Sequence, residues 1–581
     1  MEQRRRASKF MRRCAPCLVR ATAILFSCVM QAAPINRDVV RQELQDFSRA
    51  GMNKRLGSDY AFYHSTAETF PNIYMAPTKQ DAIGRRYQIG GPWSRDPGDY
   101  SSTQGQILYS PDAGVFGVDR ITIHEWAYYC FSERPEPPWW GGFRPDPAST
   151  KWNTVSGGVP GIAVAMARGM GSWANCGVIV FSSGLIGTAG TATGYGSQPT
   201  LQLSPGKIVT GVSVTPKNEF ALVTLTDVRA RKGQVAVIAL QGGNEPIFVH
   251  DWLDRYPGAP STAWLTDMKL LGYIDLPGME FPTGVSAVGN RDGIRLNGPD
   301  GNVTMLSRFN LSIQSDRDIF RTGNNWDYAS TAGFAVVISK HENKAAFIDL
   351  QPLFERIHDR YFTTAENFQK TRNLGSAPTQ WPTAFEADPS WKPRVIKVID
   401  VPQPTAVIAN MSGADKARAY IASLDGTVGL YKLGGLATTA AADPAHVQRV
   451  SETRVGRNPT CLAYQKGTRD TIIAVSRGDR EIAWITNDVA GARVIKRLRD
   501  ARLVDPVFVE MADTHGVETS LITVADFNGR KIVNYRWAPV VFATQGGAVF
   551  GIGPNGTDEF ECGGVLDFPG NPFCISATNV N

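Results

Sequence analysis

The feature that most constrains this chain is a degenerate repeat between roughly residues 200 and 540. Its unit is an apolar run, a tight turn and a second apolar run. Ala419–Ser423, Leu424-Asp425-Gly426 and Thr427–Tyr431 form one copy. Ile472–Ser476, Arg477–Arg480 and Glu481–Ile485 form another, and Leu521–Ala525, Asp526–Gly529 and Arg530–Tyr535 a third. Phe334–Ile348 and Phe220–Ile238 are looser copies. Before most of them stands a third run opening on Pro282, Pro404, Pro459 or Pro506, and Thr210–Val214 repeats the Thr283 version without the proline. Apolar runs of five bounded by Gly, Asp, Asn and Pro read as short strands. The chain's 57 glycines and 36 prolines supply the turns that many short strands need. One small sheet cannot bury both of its faces alone, so such units must stack against one another. A period near 50 residues with three or four strands per unit suits a blade of a β-propeller.

The run Ile472–Ile485 (IIAVSRGDREIAWI), and after it Ala419–Tyr431, resembles the YVTN-type β-propeller repeat. That group includes surface-layer propellers and the seven-bladed lactonase-like proteins. The tetrad itself is absent and the spacing irregular, so the resemblance is to the architecture. It implies an all-β propeller of about seven blades over residues 161–540, with residues 541–581 as a tail closing it. Residues 34–160 read as a cap or a divergent first blade, beginning with one short helix over 36–55 on which Val40, Leu44 and Phe47 share a face. Val159–Ala165 repeats the proline-then-apolar opening, with Gly177–Phe181 as its next strand. Residues 351–393 begin helically, end rich in Pro and Trp, and read as an insertion between blades. Gly187–Gly196 lacks the lysine of a phosphate loop and reads as a flexible connection.

The first 33 residues are an address. Seven basic residues precede or flank an uncharged run from Ala21 to Ala33, too short to span a bilayer but the length of a secretory core. Leu25-Phe26-Ser27-Cys28 resembles a lipoprotein signal and makes lipidation of Cys28, hence a lipid anchor, the alternative to a soluble periplasmic or secreted product. No later segment reads as transmembrane. Beyond residue 33 the chain balances at 53 basic and 53 acidic residues, which gives no electrostatic case for nucleic acid. Export permits disulfides; the expected pairs are Cys562 with Cys574 and Cys130 with Cys176, leaving Cys461 as a buried thiol.

Three constellations bear on function. Asp425, Asp479 and Asp526 occupy equivalent turns, so symmetry could gather them as hard oxygen ligands for Ca²⁺; alternatively, Asp is what tight hairpins require. Trp126, Trp139 and Trp140, in a Pro/Gly-rich aromatic stretch, could stack on sugars or grip a partner, or else plug a central channel. The seven histidines show no metal-binding spacing, and neither a Gly-x-Ser-x-Gly elbow nor a P-loop occurs. The expectation is an exported binding or scaffold protein that recognises a protein or glycan through one propeller face. A propeller enzyme, a lactonase-like hydrolase or a lyase with a metal or carboxylates in the channel, is the alternative.

Overall fold

The computed structural model describes strand residues 106–109, most of 163–243, 256–291 and 417–537, all of 309–410, and strand residues 540–543, 549–552, 560–567 and 573–577. The signal segment, the 36–55 helix, Cys28, Cys130 and the three tryptophans at 126, 139 and 140 lie outside these residues.

The chain is mostly β. After β1 (Gln106–Tyr109) come six antiparallel four-stranded sheets. Sheet one is β2 (Ala163–Ala167), β3 (Cys176–Phe181), β4 (Leu185–Gly190) and β5 (Leu201–Gln202). Sheet two is β6 (Lys207–Val214), β7 (Phe220–Asp227), β8 (Lys232–Gly243) and β9 (Trp264–Asp275). Sheet three is β10 (Gly284–Gly289), β11 (Gly333–Ser339), β12 (Lys344–Asp349) and β13 (Arg394–Asp400). Sheet four is β14 (Pro404–Asn410), β15 (Arg418–Ser423), β16 (Thr427–Lys432) and β17 (Gln448–Arg454). Sheet five is β18 (Pro459–Gln465), β19 (Thr471–Ser476), β20 (Glu481–Thr486) and β21 (Val494–Leu498). Sheet six begins with β22 (Pro506–Met511); after the short β23 (Val517–Glu518) it continues with β24 (Leu521–Asp526) and β25 (Lys531–Trp537). Strand β26 (Val540–Ala543) pairs with β23 and with β27 (Val549–Ile552), and β28 (Phe560–Asp567) completes sheet six. The last strand, β29 (Cys574–Ala577), pairs with β1.

The apolar runs of the repeat are the second and third strands of each sheet, and they are buried on both faces. In β19 every residue is buried: Ile473 and Val475 pack toward sheet six, Ile472 and Ala474 toward sheet four. In β11, Phe334, Val336 and Ile338 join the core shared with sheet four, and Ala335 and Val337 that shared with sheet two. Alternate side chains leave opposite faces of a strand, so a continuous apolar run is what a sheet sandwiched between two others requires. The cores therefore lie between successive sheets. Among the fourth strands, β13 and β17 show no fully buried residue, and Gln448–Arg454 of β17 is mostly exposed.

The first strands stand side by side: β2 against β6, β6 against β10, β10 against β14, β14 against β18 and β18 against β22, while β29 touches both β22 and β2. They run in the same direction, since Thr460 and Cys461 of β18 meet Val507 and Val509 of β22 in ascending order. In antiparallel sheets the connections alternate ends. The tight second-to-third hairpins and the sheet-to-sheet crossings share one end, here the hairpin end. The first-to-second and third-to-fourth connections share the other, the loop end. The long connections 244–263, 290–332 and 350–393 all leave from that loop end.

The insertion differs in one respect from the sequence expectation. It joins β12 to β13, so it lies within sheet three and not between two blades. It carries α2 (Gln351–His358), a π-helical turn over Asp359–Thr363 and α3 (Ala365–Lys370), preceded in the chain by α1 (Gln314–Arg321). These pack through their own aromatic cluster: Phe320 stacks on Phe362 at 5.1 Å, and Trp381 on Trp391 at 5.8 Å. The Trp381 indole donates to Tyr361 (2.6 Å), whose hydroxyl donates to Pro257 O (2.9 Å). The glycine-rich run 187–196 also departs from expectation, because Gly187–Gly190 belong to β4, where they pair with β3.

Candidate functional site

The first strands enclose a cavity of about 350 Å³ lined from all six sheets and by Cys574 of β29. Each first strand is the edge of its own sheet and carries backbone groups that its own ladder leaves unpaired. Hydroxyls and one thiol on the neighbouring first strand satisfy some of them. Ser213 Oγ accepts from Ala287 N (2.9 Å), and Ser286 Oγ from Ala409 N (2.9 Å). Thr460 Oγ1 donates to Val507 O (2.7 Å), and the Cys461 thiol to Val509 O (3.5 Å). The repeated Thr-Gly-Val-Ser of residues 210–213 and 283–286 was the sequence signal for this sealing, visible as a repeat but silent as to purpose. Strands crowded toward a common line favour short side chains, which explains the Ala, Val, Ser and Thr at these positions.

The wall is mainly aliphatic. Val212, Val285, Val407, Leu462 and Val509 hold equivalent places in five successive sheets and all line the cavity. Toward the loop end stand Asn410, Tyr464 and Glu510, the last lining residues of their strands. Asn410 is 6% exposed, and its Nδ2 has no hydrogen-bond acceptor among the described residues. Sequence reasoning passed over this side chain, because an Asn at a strand end reads as a turn residue. Cys461 is buried as expected, and burial pushes its thiol far above the ordinary thiol range, so it is a donor in the wall and no nucleophile. Cys574, also a thiol, lines the cavity near Cys461, whereas Cys562 lies on β28 of a different sheet. Cys176 opens β3.

The three turn acids sit at the hairpin end, and the structure does not bring them together. Among the described residues, no three His, Cys, Asp or Glu side chains gather as a cation cage. Each carboxylate is engaged locally. Asp425 accepts from Thr427 N and Oγ1, both at 2.9 Å, and the Thr427 amide leads in holding its pKa low. Asp479 accepts from the Arg457 guanidinium (2.7 Å) and the Arg457 amide (2.7 Å), and these hold its carboxyl below the usual range. Asp526 is fully buried and accepts from Val504 N, Asp505 N and Gly529 N at 2.5, 2.8 and 2.9 Å. In sheets five and six the acid ties the hairpin to the chain segment leading into that sheet's first strand. Asn343 does the same in sheet three, accepting from Gln403 N (2.8 Å), but across to the next sheet.

The loop end carries a built layer. Buried Lys217, in the β6–β7 turn, donates to Tyr328 O and lies 3.9 Å above the Tyr328 ring, welding connection 290–332 to the inner strands. Glu219 of the same turn is fully buried, and desolvation raises its pKa. Above this layer Trp326 is 50% exposed and stacks on Arg291, while Ile313 and Leu374 are 49% and 46% exposed. A hydrogen bond from Arg372 to Ser312 (3.0 Å) joins the segments that bear the last two.

Comparison with known proteins adds no identity: no family model and no curated protein matches this chain. Among the described residues, no helix is long and apolar enough to cross a membrane.

Proposed function

We propose that the six sheets, with the β1–β29 pair as a seventh member, form a propeller-type ring. On this reading the protein is an exported binding or scaffold protein that takes a protein partner on its loop end. The contacts of β29 with both β22 and β2 support the ring. One observation carries the function: the long connections 244–263, 290–332 and 350–393 within sheets two and three leave from the same end, and the described parts of the last two build a packed layer there with Trp326, Ile313 and Leu374 exposed. A rigid scaffold that presents elaborated loops at one end is the usual arrangement for recognition. The described loop-end surface offers one exposed Trp beside an Arg and two aliphatics, which suits a protein surface better than a sugar ring. The hydrolase or lyase alternative would need paired acid–base groups facing the cavity. The described lining supplies Glu510, Tyr464 and two thiols in a mainly aliphatic wall.

The test compares two surface variants of the full protein in chemical cross-linking to partners from the exported fraction. One carries Ile313→Ser, Trp326→Ala and Leu374→Ser; the control carries Val228→Ser and Phe281→Ser, in sheet two and its crossing to sheet three. A defined cross-linked protein that disappears only with the loop-end variant supports the reading. A partner lost only in the control, or a glycan binding with no dependence on these residues, overturns it.

A further inference from the structure

The axial cavity is itself suited to a ligand, independently of what docks on the loop end. Its volume, about 350 Å³, lies at the small end of the range for ligand pockets, roughly 300–1,000 Å³. Its wall is a belt of Val and Leu side chains with alanines beside them, which rewards an apolar body. One polar atom in that wall is out of balance. Asn410 is buried, lines the cavity, and its Nδ2 donates to no acceptor among the described residues. A buried donor without an acceptor costs free energy that a correctly placed acceptor returns. The nearby Ser213 and Ser286 hydroxyls accept from backbone amides, which leaves their own hydrogens to point elsewhere. Asn410 Nδ2 and these two hydroxyls therefore supply hydrogens, and call for a partner with lone pairs.

We infer that the axial cavity binds a small, mainly apolar molecule bearing a hydrogen-bond acceptor, a carbonyl or carboxylate oxygen, which Asn410 Nδ2 receives near the loop end. Carbonyl and carboxylate share the acceptor chemistry. They differ in charge, and Glu510 at the same end disfavours the anion.

Calorimetric titration of the full protein with three probes of similar bulk tests this: cyclooctanone as neutral acceptor, octanoate as anionic acceptor and cyclooctylamine as cationic donor. The expected result is saturable one-to-one binding of cyclooctanone, with octanoate and the amine both weaker. Val407→Phe fills the cavity and abolishes binding. Asn410→Leu, which keeps the bulk and removes the donor, weakens the ketone roughly fivefold, the worth of one neutral hydrogen bond. If octanoate binds best, the natural ligand is an acid and the acceptor assignment stands. Absence of binding by all three probes overturns the inference, as does amine binding that exceeds the ketone, or ketone binding unchanged in Val407→Phe. Should that variant fail to fold, Val285→Leu, one methylene larger on the same belt, is expected to weaken the ketone while leaving the melting temperature near wild type.

Discussion

Replacing Asp526 separates a structural acid from a cation ligand. The side chain is fully buried and its two oxygens receive three backbone N–H groups, from Val504, Asp505 and Gly529. Asp526→Ala strands those donors. A buried amide left without an acceptor costs about 1–3 kcal/mol. Val504 is 41% exposed and regains water, so two donors bear most of the loss, and the sum is about 3 kcal/mol. Asp526→Asn keeps one acceptor oxygen, which can serve Asp505 and Gly529, but turns its NH₂ toward the Val504 amide; about half the loss is expected. Asp479 provides the contrast. Its carboxylate is partly exposed and holds one amide and an exposed Arg457, so Asp479→Ala is expected to cost about 1 kcal/mol. Hydrogen exchange over residues 503–529, read by mass spectrometry, reports the local opening energy directly. Three kcal/mol corresponds to exchange roughly a hundredfold faster in Asp526→Ala, against about fivefold around 457–479 in Asp479→Ala. Added Ca²⁺ is expected to leave all three proteins unchanged. Exchange in Asp526→Ala within twofold of wild type would refute the accounting, and a Ca²⁺-dependent protection of wild type that either variant loses would restore the cation reading.

Further outcomes follow from single residues. Because the Arg457 contacts lower the Asp479 carboxyl, their stabilisation is present above the ordinary carboxylate pKa, about 4, and lost as pH falls through the lower folded value. The stability gap between wild type and Asp479→Asn should thus close below about pH 4 in urea titrations, and a gap that widens on acidification counts against the ion pair. Gln403 precedes Pro404 at φ 40°, whereas the equivalent residue before Pro459 is Asn458 at φ 49°. Asn tolerates this left-handed region better, so Gln403→Asn is expected to raise stability by about 0.5 kcal/mol, seen as a higher melting temperature. Gly333 begins β11, and a Cβ there would lie 2.4 Å from Val288 O and 2.5 Å from Phe354 Cε2. Gly333→Ala should therefore cost about 3 kcal/mol or prevent soluble expression, and a near-neutral result would show that sheet three and α2 pack more loosely than described.

Legibility in this chain follows burial. The second and third strands of each sheet lie between neighbouring sheets, so both faces select apolar residues and the run is continuous; Ala419–Ser423 and Ile472–Ser476 could be read directly. The fourth strands escape notice for the converse reason. Gln448–Arg454 and Arg394–Asp400 line the outside, where one face meets solvent and charged residues are tolerated in a ladder. The insertion's helices were legible, but its place was not. Spacing between prolines cannot tell a detour within a sheet from one between sheets, because an apolar run such as Val395–Ile399 of β13 does not say which strand it pairs with.

The candidate site was hidden by construction. Each sheet gives the cavity only a few residues of its first strand, and each of those looks in isolation like an ordinary strand position. The turn acids attracted attention because equivalence in sequence was read as convergence in space. At the hairpin end of successive sheets, equivalent residues are instead held apart, since each belongs to the outer end of a hairpin. Convergence occurs one strand earlier, along β6, β10, β14, β18 and β22, where the repeat offers Val, Ser and Ala. At the loop end of this ring Asn410 is buried with its Nδ2 unpaired among the described residues, while the same register places Val288 in β10 and Gln465 in β18. A buried amide with an unpaired donor beside an aliphatic belt is a feature that packing alone does not require, and Asn410→Leu would be expected to raise stability if packing were all that mattered. A rise in melting temperature together with a weakened ketone affinity would mark Asn410 as a residue kept for binding at the expense of stability.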